Sequence, residues 1–221
     1  MPSDRTPDTP VTDWAAVIAK ATQLAAEART QTARPVSDSR LRRAIFAMAA
    51  TGYEPSVAIT PIIRDLLSGQ GVLIAGNAGT GKTFLFRALN MAMGACATRG
   101  IQTAEQIIAH GLNGIQGWYE QWDGSELVID DLGAERESVE YGARDDLLKS
   151  VIAHRAERQT GRTHVTTNLD AKAIRDRYGD RTLSRLVGMC RPHRLDGPDR
   201  RRHGLTSAPP SGRVGDGMGV V

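Results

Sequence analysis

The sequence predicts an α/β fold with a parallel sheet flanked by helices, and three observations support this prediction. The apolar runs at 71–75 and 127–129 have the length of buried strands, a further short strand is predicted at 163–167, and these segments alternate with stretches of helical periodicity. A glycine-rich loop joins the first run to a helix, and two carboxylates, Asp130 and Asp131, directly follow the second run. Strands that alternate with helices are typical of a doubly wound parallel sheet.

The length and composition allow one compact domain with tails. The chain has 221 residues, 40% hydrophobic and 24% charged, and a formal net charge of +3. This charge permits contact with nucleic acid but does not require it. Cys96 and Cys190 lack metal-ligand spacing, which is typical of reduced thiols. No apolar run approaches the ~18 residues that span a bilayer, and the polar start lacks a secretion signal, so we expect a cytoplasmic protein with no membrane partner.

Four regions are predicted along the chain. Residues 1–12 and 204–221 are expected to be disordered because proline, glycine and small polar residues dominate them. Residues 13–68 are predicted to form a small helical N-terminal region, and residues 69–203 the α/β domain. In the first predicted helix, from Asp13 to about residue 30, apolar side chains recur at helical spacing: Trp14, Val17, Ile18, Ala21, Leu24, Ala25 and Ala28.

The remaining elements are predicted from periodicity and from the glycines and prolines that bound them. Two more helices, at about 40–50 and 61–67, complete the N-terminal region. The α/β domain then has strands at 71–75, 101–104, 127–129, 163–167 and 190–195, and helical stretches at 82–97, 105–122, 140–159, 171–178 and 181–187. Glycines 111, 114 and 117 weaken the pattern within 105–122.

The strongest local signal is the loop after the first strand, which fits the Walker A pattern G-x-x-x-x-G-K-T. Its glycines let the backbone curl so that N–H groups face a phosphate. Lys82 supplies a cation for the β- and γ-phosphates, and the Thr83 hydroxyl is a ligand for Mg²⁺. The sequence therefore predicts that ATP and Mg²⁺ bind at this loop, which comprises Gly76, Asn77, Ala78, Gly79, Thr80, Gly81, Lys82 and Thr83.

The two carboxylates after the 127–129 strand are a second signal. Adjacent acidic residues at the end of a buried strand are costly unless a cation binds there. We predict that Asp130 holds Mg²⁺, directly or through water. Because side chains alternate along a strand, Asp131 is expected to point the other way and to polarise the attacking water. Glu135 is a rival for that role, although we prefer to interpret it as a structural charge.

Three polar residues farther along are candidates for catalysis. Asn168 follows the 163–167 strand, where an amide orients the hydrolytic water or contacts the γ-phosphate; a turn or N-cap role is the alternative. Arg181 and Arg185 lie one helical turn apart and share a face. Arg185 is our first choice for an arginine that a neighbouring subunit offers to the transferring phosphoryl group, with Arg181 bracing it or reaching the same site. A solvated basic face is the alternative for both.

A cluster of basic residues closes the predicted α/β domain. One arginine of this cluster is a candidate to contact the nucleotide within its own subunit. Contact with DNA phosphates and a simple solvated tail are two further interpretations, and all three stay open. The cluster comprises Arg191, His193, Arg194, Arg200, Arg201, Arg202 and His203.

Taken in order, these motifs resemble those of the bacterial and phage DnaC/IstB-like AAA+ proteins. The resemblance covers roughly residues 71–202 and rests on four segments: GNAGTGKT, LVIDDLGAE, THVTTNL and YGDRTLSRL. It implies a P-loop NTPase of the AAA+ type and an ATPase that forms ATP-dependent homo-oligomers and binds single-stranded DNA. Members of this family load a replicative helicase or assist a transposase, and the sequence looks closest to phage or prophage replication ATPases.

The resemblance also assigns roles to individual residues. It implies nucleotide and Mg²⁺ binding by the Walker A residues, an acidic pair at Asp130 and Asp131, a first sensor at Asn168 and the arginine finger at Arg185. One departure is that residues 101–127 contain no Lys or Arg, so the sequence gives no support for DNA binding by that segment. Trp118 and Trp122 are four residues apart, and core packing explains them better than base stacking does.

Four functions compete on this sequence. A helicase-loader-type ATPase comes first, and an IstB-like transposition helper shares the same core. A small-molecule P-loop kinase is disfavoured because no basic lid follows a substrate pocket. A nucleotide-gated scaffold that binds ATP and hardly hydrolyses it stays open, because Asp131 stands where many AAA+ proteins carry a longer glutamate.

Overall fold

The structure is a computed structural model that describes residues 34–93, 100–135, 141–158 and 161–200. Its strands are β1 (Gly71–Ala75), β2 (Gly100–Thr103), β3 (Leu127–Leu132), β4 (Thr163–Thr167) and β5 (Cys190–Arg194). They form one sheet in the order β2-β3-β4-β1-β5, and every pairing in it is parallel. This order places β1, which leads into the phosphate loop, beside β4, and β4 beside β3, which carries the acidic pair near its carboxyl end.

Helices connect the strands and cover both faces of the sheet. Because the strands are parallel, the chain must run from the carboxyl end of one strand back to the amino end of the next. In the described part of the chain the helices are α1 (Asp38–Ala49), α2 (Ile59–Ser68), α3 (Lys82–Met93), α4 (Ala104–Ala109), α5 (Gly111–Trp122), α6 (Tyr141–Arg158), α7 (Ala171–Tyr178) and α8 (Asp180–Met189). None of these helices is long and apolar enough to cross a membrane.

The predicted α/β fold with a parallel sheet is confirmed, and several boundaries agree closely. Strand β4 and helix α7 have the predicted bounds. The helical stretch predicted at 105–122 is two helices, because the backbone at Gly111 adopts a left-handed φ of 62° and interrupts the pattern. The first predicted helix, at about 13–30, and the predicted continuation of α3 beyond residue 93 lie outside the described residues.

Two apolar clusters hold the layers together, one on each face of the sheet. Alternate strand residues point to opposite faces, so Leu73 joins one cluster while Val72 and Ile74 join the other. Helices α1, α2 and α3 supply buried side chains such as Met48 and Phe86 to the second cluster. The domain boundary that we expect near residue 68 stays a prediction, and helices on both sides of it share one core.

Two aromatic residues of α5 pack in the other cluster. Trp118 is fully buried, and Trp122 packs partly buried beside it with ring centroids 6.4 Å apart. A Cβ added at Gly100 would collide with the Trp122 ring, so that ring lies directly on the start of β2. These contacts are the core packing that the four-residue spacing indicates.

A buried arginine ties α6 to the sheet. The Arg155 guanidinium donates to Thr163 Oγ1 at 3.0 Å and to the backbone carbonyls of Trp122 and Ser125, both at 2.7 Å. Burial lowers the pKa of Arg155, and the nearby Asp123 carboxylate opposes this shift. The arginine therefore fixes the turn that precedes β3 against the end of α6 and the start of β4.

Candidate functional site

The carboxyl ends of β1, β3 and β4 open into a cavity of about 1070 Å³. This is the edge at which parallel α/β sheets bind ligands. The structure brings the phosphate loop, the acidic pair and the asparagine together there. Of the residues predicted to form the site, those that line the cavity are Ala78, Gly79, Gly81, Lys82, Thr83, Asp130, Asp131 and Asn168.

The phosphate loop runs from β1 to α3 with left-handed backbone at two of its glycines. Gly79 has a φ of 79° and Gly81 a φ of 91°, and residues other than glycine rarely adopt such backbone angles. Thr80 is buried and donates its hydroxyl to the Asn77 carbonyl at 3.0 Å, which closes the turn from within. Helix α3 begins at Lys82, so its amino-terminal end faces the cavity that the loop borders.

The segment after β5 covers the outer side of this loop. The Leu195 N–H donates to the Ala75 carbonyl at 2.8 Å, and the Arg200 N–H donates to the Gly79 carbonyl at 3.0 Å. A Cβ at Gly76 would collide with the Leu195 carbonyl, and a Cβ at Gly79 would collide with the Asp199 carboxylate. Gly76 therefore serves close packing against residues 195–200, and Gly79 serves both this packing and its backbone conformation.

Lys82 lies buried at the centre of the site. Its ammonium donates to the Gly76 and Asn77 carbonyls, each at 2.8 Å, and to Asn168 Oδ1 at 2.7 Å. Asn168 follows β4, and Lys82 starts the helix after β1, so the pairing of these two strands brings both residues together. A phosphate oxygen offers the ammonium the same kind of charge-assisted hydrogen bond that these oxygens supply.

Asp130 is buried at the end of β3 and is held by hydroxyl groups. Thr83 donates to Asp130 Oδ1 at 3.0 Å, and Thr166 donates to the same oxygen at 2.5 Å. Hydroxyl and carboxylate oxygens are ligands that Mg²⁺ accepts, and this ion usually takes its remaining ligands from water and substrate phosphates. No group of three His, Cys, Asp or Glu residues in the described chain could hold a metal by itself. Thr83 and Asp130 therefore fit a metal shared with a phosphate ligand.

A β-bulge decides where Asp131 lies. Ile129 pairs with Val165 and Leu132 pairs with Thr167, so Asp130 and Asp131 together oppose Thr166 alone. Asp131 has a φ of 54°, the only positive value at a non-glycine residue in the described chain, and its N–H donates to Thr166 Oγ1 at 2.9 Å.

The bulge corrects our expectation for the acidic pair. Regular strand alternation would turn Asp131 away from Asp130, but both residues line the same cavity. The bulge interrupts the alternation of side chains along β3 at this point. Asp130 and Asp131 can therefore both lie at the cavity, although they are neighbours in the strand.

Glu135 is fixed away from the cavity lining. It is buried and forms an ion pair with Arg177 at 2.9 Å, accepts a hydrogen bond from the Tyr178 hydroxyl, and accepts another from the Gly133 N–H at 2.9 Å. Arg177 also donates to the Gly133 carbonyl at 2.8 Å. These contacts fasten the loop after β3 to α7, which is the structural role that we prefer for Glu135.

The predicted arginines occupy different positions. Arg185 forms an ion pair with Glu157 of α6 at 2.7 Å, and Arg181 is exposed; neither lines the cavity of its own chain. Arg200 does line it, with its guanidinium 5.4 Å from the centre of the Tyr53 ring and a hydrogen bond of 2.8 Å to the Glu54 carbonyl. Burial raises the pKa of Tyr53, and the Arg200 charge opposes this shift.

The rest of the described basic cluster contacts carboxylates. Arg191 and His193 both contact the largely buried Asp65, at 2.8 Å and 2.9 Å, and Arg194 pairs with Asp196 at 2.7 Å. Arg201, Arg202 and His203 lie outside the described residues.

Sequence reasoning missed two residues of this site. Thr166 is inside β4 and contacts both members of the acidic pair, which only the bulge makes possible. Arg87 lines the cavity one helical turn after Thr83. The spacing of four between Thr83 and Arg87 on one helix was a signal that could have identified Arg87.

Fold and site together define a P-loop NTPase of the α/β class with an AAA+ type sheet. No family model and no curated protein sequence matches the chain. Among solved structures, the crystal structure of the DnaC helicase loader is similar with a TM-score of 0.50 and 20% identity, over 70% of this chain and 99% of that one. At this identity the similarity shows the fold alone, and the fold of this chain is DnaC-like AAA+.

Two other solved structures are similar at lower scores and carry no further conclusion. The crystal structure of DnaI has a TM-score of 0.47 and 23% identity, over 75% of this chain and 86% of that one. NtrX from Brucella abortus in complex with ATP has a TM-score of 0.44 and 16% identity, over 84% of this chain and 44% of that one.

Proposed function

We propose that this chain binds and hydrolyses ATP with Mg²⁺. The observation that carries the proposal is that one cavity is lined by Lys82, Asn168, Thr83 and Asp130. Lys82 is hydrogen-bonded to Asn168, and Thr83 is hydrogen-bonded to Asp130. These four residues come from three different strand ends, and each supplies the chemistry that phosphate or Mg²⁺ requires.

In the proposed reaction, Lys82 exchanges its bonds to the loop carbonyls and Asn168 for bonds to the β- and γ-phosphates. Thr83 and Asp130 hold Mg²⁺, which supplies positive charge to the phosphates when bound. The exchange leaves the Asn168 amide available to orient the attacking water. Asp131, held on the cavity side by the bulge, polarises that water and accepts its proton.

We further propose that the active form is an ATP-dependent homo-oligomer. Arg185, with Arg181 beside it on α8, then reaches the phosphates of a neighbouring subunit and gives up its ion pair with Glu157. Arg200 lines the cavity of its own subunit and is the better candidate for contact within that subunit.

For the cellular role, we propose a helicase-loader-like factor in DNA replication, of phage or prophage origin, whose protein partner is a replicative helicase. The support is the resemblance of the motifs and the DnaC-like fold. The alternative is an IstB-like transposition helper with a transposase as partner. The proposal that single-stranded DNA is bound directly draws little support from Arg191, His193 and Arg194, because each of these side chains already contacts a carboxylate.

The decisive experiment compares the full chain with Lys82→Ala, and with Lys172→Ala as a matched control on the surface of α7. We expect Lys82→Ala to abolish ATP binding measured by calorimetry and steady-state hydrolysis, and Lys172→Ala to change neither. ATP binding that survives Lys82→Ala would overturn the proposed site. Binding by the wild-type protein without turnover, alone or with its partner, would favour the nucleotide-gated scaffold.

The oligomer and the DNA contact are tested in the same assay. Mixtures of wild-type protein with Arg185→Ala should lose more activity than the fraction of variant predicts, because each variant subunit disables a neighbour. Strictly additive activity would refute action between subunits. Stimulation by single-stranded DNA at low salt would demonstrate direct DNA contact, and its absence would shift DNA contact to the protein partner.

A further inference from the structure

One cation of the phosphate-loop cavity has no partner in the described part of the chain. Arg87 of α3 lines this cavity and is exposed. It forms no hydrogen bond and no ion pair with any residue that the structure describes, although Asp130 and Asp131 line the same cavity. The donors of the Arg87 guanidinium are therefore open to a ligand that enters the cavity.

The other two cations among the described residues of the cavity lining are already engaged. Lys82 is buried, and its ammonium donates to three oxygens. The Arg200 guanidinium donates to the Glu54 carbonyl at 2.8 Å and lies 5.4 Å from the centre of the Tyr53 ring. A phosphate has to replace contacts of Lys82 or Arg200 before it binds either side chain, whereas Arg87 has no such contact to lose.

Arg87 stands on the side of the cavity that carries the proposed Mg²⁺ ligands. It follows Thr83 by four residues, so the two side chains share one face of α3, about 6 Å apart along the helix axis. Thr83 donates to Asp130 Oδ1 at 3.0 Å. On β2, Thr103 lies opposite Asp130 in the register and lines the same cavity. Arg87, Thr83 and the ends of β2 and β3 therefore border one side.

The other side of the cavity is formed by two segments, 52–54 and 198–200. The second segment follows β5, which is at the opposite edge of the sheet from β2, and Arg200 joins the two segments through its bond to the Glu54 carbonyl. Mg²⁺ bridges the β- and γ-phosphates of a nucleotide. A triphosphate whose metal lies at Thr83 and Asp130 thus has its terminal phosphate on the Arg87 side and its nucleoside on the other.

We propose that Arg87 binds the terminal phosphate of ATP in its own subunit and makes the site prefer ATP to ADP. A guanidinium forms two parallel N–H···O bonds with a phosphate, which gives this contact both charge and direction. ADP lacks the phosphate that Arg87 reaches, so only ATP gains the contact. This role rests on the proposed nucleotide site and adds to it the residue that distinguishes the two nucleotides.

The test compares the binding of two nucleotides to the full chain by calorimetry with Mg²⁺ present: ADP and the non-hydrolysable ATP analogue AMPPNP. Arg87→Gln removes the charge, and we expect it to weaken AMPPNP binding about tenfold and ADP binding less than about twofold. ADP binding also verifies that the variant is folded. Arg42→Gln, a change at another exposed arginine on α1, is the matched control and should alter neither affinity. Equal weakening of both nucleotides by Arg87→Gln would overturn the proposal.

Protein concentration distinguishes contact within one subunit from contact between subunits. The selective loss of AMPPNP affinity in Arg87→Gln should persist in dilute protein that light scattering shows to be monomeric. A loss that appears only as oligomers form would assign Arg87 to a neighbour's nucleotide and would overturn the proposal.

The same titrations separate this inference from the proposed function. If the wild-type protein binds neither nucleotide, the proposed ATP site and the role of Arg87 are both wrong. If the wild-type protein binds both and Arg87→Gln keeps the wild-type ratio of the two affinities, the ATP site stands and only the role of Arg87 is wrong.

Discussion

Asp130 and Glu135 are both buried, at 3% and 4% exposure, yet their partners differ. Asp130 lies in β3, and Glu135 lies in the loop that follows this strand. Asp130 receives hydrogen bonds from the hydroxyls of Thr83 and Thr166. Glu135 has the Arg177 guanidinium, a tyrosine hydroxyl and a backbone N–H. In the described part of the chain no cationic side chain forms an ion pair with Asp130.

This difference in partners leaves the Asp130 carboxylate able to accept a cation, whereas the Glu135 carboxylate already pairs with one. A buried carboxylate with hydroxyl donors alone keeps most of its desolvation cost, so binding of a metal ion lowers the free energy at Asp130. Glu135 already pairs with the Arg177 guanidinium, and this ion pair stabilises the loop after β3. Burial does not distinguish the two residues, whereas the charge of their partners does.

Asp130→Asn should have the largest effect on function. We expect Mg²⁺-dependent ATP hydrolysis to fall by on the order of 10³-fold, because the metal loses its anionic ligand, while the free energy of unfolding in urea without metal is unchanged or higher. Steady-state hydrolysis and urea titration of the same preparation check both parts. A strongly destabilised Asp130→Asn would show that Asp130 is a structural charge after all.

Glu135→Gln should show the opposite pattern. Glu135→Gln takes the carboxylate charge away from the buried Arg177 guanidinium, so we expect the free energy of unfolding to fall by about 3 kcal/mol. Asp176→Asn, which removes the exposed ion pair of Asp176 with Lys172, is the control and should change it by less than about 1 kcal/mol. If Glu135→Gln is as stable as the control but inactive, Glu135 is the base that we assigned to Asp131.

Thr166→Val tests the bulge with a substitution that keeps the side-chain volume nearly the same and removes the hydroxyl group. It removes the donor to Asp130 and the acceptor of the Asp131 N–H, so we expect a loss of about 1–2 kcal/mol in stability and about tenfold in hydrolysis. Thr166→Ser keeps the hydroxyl and should retain activity. Equal activity of the valine and serine variants would mean that the bulge holds without this side chain.

His164 extends the comparison to a titrating group, with the smallest expected effect. Its Nδ1 accepts from the Val72 N–H at 3.3 Å, and its Nε2 lies 2.9 Å from Glu126 Oε1. Burial lowers the pKa of His164, although the Glu126 carboxylate opposes the shift. The folded protein therefore binds this proton less readily than the unfolded chain, whose histidine pKa is about 6.5.

The sign of the pH dependence follows from this lowered pKa. Stability from neutral His164 is present above pH ~6.5 and is lost as pH falls through the folded pKa, at up to about 1.4 kcal/mol per pH unit. His164→Asn keeps an acceptor for Val72 and removes the titration. Urea unfolding between pH 7.5 and 5.5 should give a shallower slope for the variant, and equal slopes would exclude His164 as the cause.

The sequence predicts the strand ends well because their signals are local. Lys82 and Asn168 are located by the apolar run at 71–75, by the glycine loop and by the strand predicted at 163–167. Parallel pairing then brings these two residues together without further information. The same local patterns also identify Asp130 as a carboxylate near the carboxyl end of β3.

What the sequence did not predict depends on contacts between distant segments. The position of Asp131 follows from a bulge whose partner, Thr166, is far away in the chain, and alternation along β3 alone gives the wrong direction. The pairing of Arg191 with Asp65 likewise joins residues that are 126 positions apart in the chain. A charge cluster in the sequence therefore does not reveal which of its members are already neutralised.

The segment from Leu195 to Arg200 sets a practical limit on shortening the protein. Because it lies against Gly76 and Gly79, a deletion that begins at residue 195 removes the outer support of the phosphate loop together with the tail. A deletion that begins after Arg200 leaves this support intact. Only the second deletion can measure what the tail itself contributes.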